Sequence, residues 1–129
     1  MKIAMMSPWN AACGVAVHAE LVGREWVKMG HELKVFAPAN DENVITDKDE
    51  SYVTRCYTVD REPVKGLKPS SLDKEVCLES GCDIFIIQNL ELMPMDKLLE
   101  IWPQIKAKAK TILVIHEGYL PPYPEFYQF

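Results

Sequence analysis

Residues 1–38, MKIAMMSPWNAACGVAVHAELVGREWVKMGHELKVFAP, predict a strand, a short loop, a helix and a second strand. Lys2 to Met6 is an apolar run too short for a helix. Pro8 ends this first strand because proline has no N–H to donate to a strand ladder. The helix is expected from Gly14 to Met29, and Gly30 ends it in a left-handed conformation. A β-α-β unit of this kind predicts a parallel sheet.

Apolar residues recur along the first helix at spacings of three and four, which indicates one buried face. These residues are Val15, Ala19, Val22, Trp26 and Met29. The charged residues of this helix fall largely off the stripe, so their side chains can stay solvated; they are Glu20, Arg24, Glu25 and Lys28. Residues 33–37 then alternate in the manner of a strand, and Pro38 closes it.

Polar segments and a third strand follow. Residues 39–51 are rich in carboxylates and predict a solvated loop. Residues 52–59 are rich in β-branched and aromatic side chains, which predicts a strand. The polar positions Thr54, Arg55 and Thr58 indicate that this strand lies at an edge of the sheet. Residues 60–69 contain proline and glycine and form a connector. Ser70 or Ser71 is expected to cap a helix.

The last third of the chain predicts the rest of the sheet. Residues 83–88 contain the apolar run IFII, which is typical of a central parallel strand, and residues 111–115 are interpreted as another central strand. A helix over residues 95–108 connects them, and Pro103 is expected to kink or break it. Residues 116–129 form a tail of prolines and aromatic side chains without an assignable regular element.

The order of these elements predicts an α/β protein with a Rossmann-like three-layer α/β/α sandwich. The sheet is mainly parallel, and its strands are expected in the order 3-2-1-4-5. Residues 1–129 form a single domain. Ligands bind such sheets at the carboxyl ends of the strands, where the strand order reverses. The loops 7–14, 88–94 and 116–122 converge there.

Composition narrows the function classes. The chain has 129 residues, of which 48% are hydrophobic, and this suits one globular domain. Its net charge of −5 gives no reason to expect a nucleic-acid partner. The four cysteines lack metal-ligand spacing and are interpreted as free thiols in a reducing compartment. Without a signal peptide or transmembrane run, we expect a cytoplasmic protein, with peripheral membrane contact left open.

Three stretches resemble the amino-terminal domain of retaining glycosyltransferases of the GT-B fold, the group 1 or family 4-like enzymes. Residues 13–21, CGVAVHAEL, resemble the family's G-G-[IV]-A-x-H-x-x-x-L. Residues 30–35, GHELKV, resemble G-H-E-V-x-V, and residues 115–117, IHE, resemble V-H-[DE]. The three matches occur in the family's order. Cys13 stands where the family usually has glycine.

The resemblance implies one half of a two-domain enzyme. In that family the amino-terminal domain mainly binds the acceptor, and a carboxy-terminal domain mainly holds the nucleotide-sugar donor. This chain is therefore expected to be a truncated amino-terminal half, which transfers a sugar to an acceptor hydroxyl only with the missing domain. The nucleotide sugar is a co-substrate, and no metal or other cofactor is implied.

Two other function classes compete with this interpretation. A stand-alone, non-catalytic Rossmann-like binding module is the main alternative, because the fold alone does not imply catalysis. A dinucleotide-dependent enzyme is disfavoured, since Gly14 has no partner glycines at the offsets of G-x-G-x-x-G.

Candidate site residues follow from the loops and the resemblance. His116 is the candidate catalytic residue, and the resemblance implies that it contacts the sugar or the acceptor without acting as a classical base. Candidates for binding substrate or donor phosphate are Trp9, Asn10, Gly14, Val15, Asn89, Glu117 and Gly118. His18, Gly30 and His31 are assigned structural roles, and no metal ligand is assigned.

Several of these candidates have a structural alternative that the residues leave open. The bare backbone of Gly14 either admits a ligand or simply turns into the helix. Trp9 either stacks on a sugar or covers the core. Asn89 either binds hydroxyls or caps the next helix, and His116 either serves the site or bonds a carbonyl at the strand end.

Overall fold

Six strands and three helices make up the described part of this chain. The computed structural model describes residues 1–59, 70–91 and 93–118. The connector expected at 60–69 and the aromatic tail from residue 119 onward lie outside the described residues. The strands are β1 (Lys2–Met6), β2 (Glu32–Pro38), β3 (Val53–Val59), β4 (Ser70–Leu72), β5 (Ile84–Gln88) and β6 (Lys110–Val114), and the helices are α1 (Gly14–Lys28), α2 (Lys74–Leu78) and α3 (Met95–Lys108). In these ranges no helix combines the length and the apolarity needed to cross a membrane.

The strands form one mostly parallel sheet in the order β4-β3-β2-β1-β5-β6. β1 lies between β2 and β5, so that Met5 is opposite both Val35 and Ile86. The predicted α/β class is confirmed, and the arrangement is consistent with a Rossmann-like fold. The five predicted strands, which are β3, β2, β1, β5 and β6, lie in the predicted order. The complete order differs from the prediction because β4, which was not predicted, pairs antiparallel with β3.

β4 replaces the beginning of a predicted helix. Ser70–Leu72 pairs with the end of β3, where Ser71 lies opposite Thr58 and the two hydroxyls hydrogen bond. The helix α2 begins only at Lys74, and its N-cap is Asp73, whose carboxylate accepts from a backbone N–H. β4 therefore covers the end of β3 at residues 57–59, and only the earlier part of β3 keeps the predicted edge position.

Side chains alternate along the central strands between two hydrophobic cores, as the pleat requires. The core on the α1 side contains Ile3, Met5, Leu33, Val35 and Ile86, with Ala19 of the helix. The opposite core contains Ala4, Met6, Phe36, Phe85 and Ile87, with Leu98 and Trp102 of α3. Helices thus cover both faces of the sheet.

α1 packs on the sheet through its smallest residues. Its buried positions are Ala16, Ala19, Glu20 and Gly23, whereas Met29 of the predicted face is 70% exposed. A Cβ at Gly23 would lie 3.1 Å from both Leu33 Cδ2 and Trp9 Cη2. The predicted face was displaced because small residues let the helix approach the sheet closely, which turns its larger apolar residues to the flanks.

Two expectations for the second half of the chain also change. α3 continues through Pro103 without a break, and Pro103 is exposed. β6 was predicted to be central, but it pairs only with β5 and ends the sheet among the described strands. Its Ile112 is 44% exposed.

Gly30 is expected to be essential for the stability of the α1–β2 turn. Its φ of +91° lies in the left-handed region, and a Cβ there would meet nothing within 4 Å, so a substitution is penalised by the backbone alone. Gly30→Ala should lower the free energy of unfolding by about 1–2 kcal/mol, measured by urea denaturation. Gly14→Ala is the matched control: Gly14 is outside that region and equally open, so stability should hold or rise. Equal losses in the two variants would contradict this explanation.

Candidate functional site

The carboxyl ends of β1, β5 and β6 meet at one edge of the sheet. The chain passes from β1 outward to β2 and β3, and later returns to the other side of β1 as β5. This reversal creates the crevice in which open α/β sheets bind ligands. Residues 7–13, 89–91 and 115–118 follow the three strands and surround the crevice.

Two histidines from distant parts of the chain meet at this edge. His18 lies near the beginning of α1, and His116 lies two residues after β6. Their ring centroids are 4.9 Å apart at an interplanar angle of 76°, an edge-to-face contact between two exposed rings. His18, which was assigned a structural role, therefore lies beside the candidate catalytic residue.

A buried glutamine supports His116. Gln88 ends β5 and is 1% exposed, and its Oε1 lies 3.0 Å from His116 Nε2. Its Nε2 donates to Met5 Sδ at 3.3 Å. Sequence reasoning missed Gln88, although a polar residue that ends the apolar run IFIIQ was a usable signal.

Asn89 and Glu117 form a second polar pair in the crevice. Asn89 Nδ2 donates to Glu117 Oε1 at 2.6 Å, and Asn89 is 5% exposed. Among the described residues, neither Asn89 Oδ1 nor Glu117 Oε2 has a hydrogen-bond partner, although both atoms are buried. The φ of Asn89 is +89°, a conformation that non-glycine residues rarely adopt. Strain together with unpaired buried acceptors is characteristic of functional sites.

The alternative role of Asn89 as a helix cap is not realised. α3 begins at Met95, its N-cap is Pro94, and no side chain caps it. The carboxamide of Asn89 instead bonds Glu117, and its backbone N–H donates to Val114 O at 2.7 Å. The residue therefore joins β5 to the segment after β6.

Gly14 and Gly118 are glycines that the fold itself does not demand. A Cβ at either position would meet nothing within 4 Å, and neither residue has a left-handed φ. Gly14 begins α1, next to the half-buried Val15, and the N-cap is Cys13, whose Sγ accepts from Ala16 N at 3.4 Å. The absence of a side chain at Gly14 keeps the backbone open at the positive end of the helix dipole.

Trp9 takes the core-covering alternative. Its side chain is 0% exposed, and its indole N–H donates to Glu50 Oε2 at 2.6 Å. The Arg24 guanidinium lies 5.4 Å from the ring centroid. The core and Arg24 enclose the ring, which favours the core-covering alternative over stacking on a sugar.

Asn10 is likewise used inside the protein. It is 4% exposed, its Oδ1 accepts from Arg24 at 3.0 Å, and its Nδ2 donates to Asp49 at 2.9 Å. Its φ of +50° is left-handed. Asn10 therefore shapes the loop after β1, and its carboxamide is already engaged on both sides.

Arg55 completes the same network. It donates to both carboxylate oxygens of Asp49, at 2.9 and 2.8 Å, and to the carbonyls of Trp9 and Pro38, each at 3.0 Å. Arg24 donates to the carboxylates of Glu20 and Glu50, each at 3.0 Å. The arginine network therefore consists of Trp9, Asn10, Glu20, Arg24, Asp49, Glu50 and Arg55.

The arginine network fastens the acidic segment 39–51 onto the loop after β1. Two backbone hydrogen bonds reinforce it, from Ala12 N to Asn43 O and from Ile45 N to Asn10 O, both 2.8 Å. The acidic segment contains no buried residue, as predicted, although Asp49 and Glu50 are half-buried in the arginine network. The side chain of Arg24 is 42% exposed, whereas Glu20 is 8% exposed, so the expected solvation of Glu20 was wrong. Pairing with Arg24 satisfies the charge of Glu20, which burial would otherwise penalise.

The remaining structural assignments lie away from the crevice. Gly30 ends the α1 region in the left-handed conformation, and His31 Nδ1 lies 3.3 Å from the terminal amine of Met1. Within the described ranges, no three His, Cys, Asp or Glu side chains are grouped in a way that could hold a metal ion.

His116 is biased toward its neutral form. Burial lowers its pKa, the nearby His18 lowers it further, and Glu117 raises it. Because an unperturbed histidine titrates near about 6.5, the ring is uncharged at neutral pH and acts through its two distinct nitrogens. Protonating His116 costs more free energy in the folded protein than in the unfolded one, because its pKa is lowered on folding. The free energy of unfolding therefore decreases as the pH falls below about 6.5.

Two substitutions should move the pKa of His116 in opposite directions. His18→Phe keeps an aromatic ring but removes the competing charge, so the pKa should rise while burial still holds it below that of free histidine. Glu117→Gln removes the attractive charge, so the pKa should fall. NMR titration of the imidazole carbon-bound protons measures both changes. A pKa shift of His116 in the same direction in both variants would refute the opposite effects assigned to His18 and Glu117.

Asp49 should contribute to acid sensitivity. Hydrogen bonds from Arg55 lower its pKa, burial opposes them, and the bond from Asn10 lowers it further. The stabilisation is present above the unfolded-state value of about 3.9 and is lost as the pH falls through the lower folded-state value. Asp49→Asn should therefore unfold with a weaker pH dependence between about pH 5 and 3 in chemical denaturation. Arg55→Gln should show the same flattening, and a wild-type slope in both variants would argue against the pair.

Comparisons with known proteins assign no family. No family model matches this chain, and no solved structure matches it. The residues at the crevice and the three stretches that resemble GT-B enzymes are therefore the features that bear on function.

Proposed function

We propose that this chain is the acceptor-side domain of a nucleotide-sugar-dependent glycosyltransferase, which transfers a sugar to an acceptor hydroxyl. The contact between His18 and His116 carries the proposal. Each histidine belongs to one of the stretches that resemble the GT-B enzymes, and the two stretches are separated by most of the chain. Their meeting at the switch point of the sheet supports a shared function better than a chance match of either stretch does.

The crevice contains groups suited to a hydroxyl-rich ligand. Asn89 and Glu117 carry buried oxygens that lack partners among the described residues, and sugar hydroxyls donate to such acceptors. His116 hydrogen bonds to Gln88, the residue that precedes Asn89, and this bond places His116 at the same end of the crevice. In the proposed reaction His116 contacts the reacting sugar or the acceptor and does not abstract a proton.

The beginning of α1 is suited to a phosphate. Backbone N–H groups of the first helical turn point outward there, and the helix dipole favours an anion. The open space at Gly14 allows a phosphate oxygen to come close to these amides. In the proposed reaction these backbone amides position and stabilise the leaving phosphate, a role that does not depend on a metal ion.

A second domain would supply most of the donor contacts in an enzyme of this kind. The 129-residue chain alone should therefore bind nucleotide sugars only weakly. Calorimetry with UDP-glucose and GDP-mannose should give no tight binding, and micromolar affinity for either would contradict the assignment of this chain to the acceptor side.

Weak carbohydrate binding by the chain alone tests the site directly. In ¹⁵N-labelled protein, titration with simple di- and trisaccharides should shift the backbone amides of Gly14, His18, His116 and Gly118. Amides near Gly30 and Gly81, at the opposite end of the sheet, should not move. His116→Ala should abolish the shifts, whereas the matched control His31→Ala, far from the crevice, should keep them.

Other outcomes would count against the proposal. Shifts that map to the opposite end of the sheet would move the site elsewhere. An absence of shifts with every carbohydrate, in a protein whose spectrum shows it to be folded, would favour the non-catalytic binding module.

A further inference from the structure

The carboxamide of Gln88 has one orientation that satisfies both of its neighbours. Its Nε2 lies 3.3 Å from Met5 Sδ, and its Oε1 lies 3.0 Å from His116 Nε2. A thioether sulfur can only accept a hydrogen bond, so the NH₂ end must face Met5. The reversed carboxamide would place an oxygen against the sulfur lone pairs and lose the hydrogen bond to Met5.

This orientation determines where His116 carries its proton. The Gln88 oxygen can only accept, so His116 Nε2 must be the donor. A neutral imidazole has a single N–H, and Nδ1 is then the acceptor of the ring. Met5 therefore orients the carboxamide of Gln88, and Gln88 in turn determines which nitrogen of His116 carries the proton.

We infer that Gln88 is a positioning residue that holds His116 in the Nε2–H tautomer, and that Met5 orients Gln88 for this purpose. Both supporting side chains are held by packing, since Met5 is 0% and Gln88 is 1% exposed. The edge-to-face contact with His18 limits the rotation of the His116 ring. The arrangement is a second layer of support that fixes both the tautomer and the ring orientation.

The tautomer defines what this end of the crevice binds. His116 Nδ1, Asn89 Oδ1 and Glu117 Oε2 are then all acceptors. A ligand group here must bring donors, as the hydroxyls of a sugar do, whereas a phosphate brings only acceptor oxygens and would be repelled. This consequence for the ligand rests on the proposed function, but the tautomer itself rests on the geometry alone.

The tautomer can be read without any ligand. Long-range ¹H–¹⁵N correlation spectra of the whole chain, recorded above the titration range of His116, distinguish a protonated from an unprotonated ring nitrogen. His116 should show a protonated Nε2 and an unprotonated Nδ1. His18 and His31 appear in the same spectrum, and unchanged signals from His31 report that each variant is folded.

Four variants separate positioning from general packing. Gln88→Leu removes the acceptor, so the His116 shifts should move toward the mixture of tautomers of an unrestrained imidazole. Gln88→Glu should keep the Nε2–H form, because both carboxylate oxygens accept. Met5→Leu frees the carboxamide to reverse and should also produce a mixture. Met6→Leu is the matched control, since Met6 is equally buried but faces the opposite core.

The results would decide the matter in either direction. An Nδ1–H tautomer in the wild-type protein, or a folded Gln88→Leu variant with unchanged His116 shifts, would overturn the inference. The predicted tautomer in a protein that binds no carbohydrate would leave the positioning role intact and refute only the proposed function.

Discussion

The pairing of Arg24 and Arg55 with three carboxylates is the interaction on which the candidate site depends. It attaches the loop after β1 to the segment between β2 and β3, and this loop leads directly into α1. The two arginines are not equivalent. The side chain of Arg24 is 42% exposed, so solvent screens its ion pairs, whereas Arg55 and Asp49 are 21% and 22% exposed and form two parallel hydrogen bonds. The bidentate pair is the firmer of the two attachments.

The same network holds the loop after β1 in place by hydrogen bonds, without the small residues of a phosphate-binding glycine loop. Trp9 and Asn10 fill the position where a dinucleotide fold would place small residues, and both are enclosed by charged neighbours. Their burial leaves the exposed surface of the crevice to the beginning of α1 and to the residues after β5 and β6. The polar groups there come in pairs that cross between strands, Gln88 with His116 and Asn89 with Glu117. Each pair joins a central strand to the neighbouring one, so the relative placement of the two strands determines the geometry of the site.

Local patterns were sufficient for elements whose neighbours are also close in sequence. The limits of β1, α1 and α3 follow from short apolar runs, a terminating glycine and helical periodicity, all of which act within a few residues. They were insufficient for β4, because three residues of Ser-Ser-Leu carry no strand pattern of their own. Pairing with β3 supplies the hydrogen bonds that make this segment a strand, and it also shifts the N-cap of α2 to Asp73. The buried face of α1 was displaced for a related reason, since the closeness of the sheet favours Gly23 and two alanines over larger apolar residues.

The amino-acid sequence is sufficient to predict an α/β domain whose polar loop residues gather at the carboxyl edge of a parallel sheet. Strand direction and connection order support that conclusion, because they decide which loops share an edge. Long-range contacts in the folded protein decide which of those residues face the crevice. Trp9 and Asn10 became part of the interior because carboxylates some forty residues away pair with them, while Gln88 entered the site through its contacts with Met5 and His116. Hydrogen bonds between residues distant in sequence leave no local pattern in the sequence. These bonds decide which polar side chains stabilise the fold and which line the site.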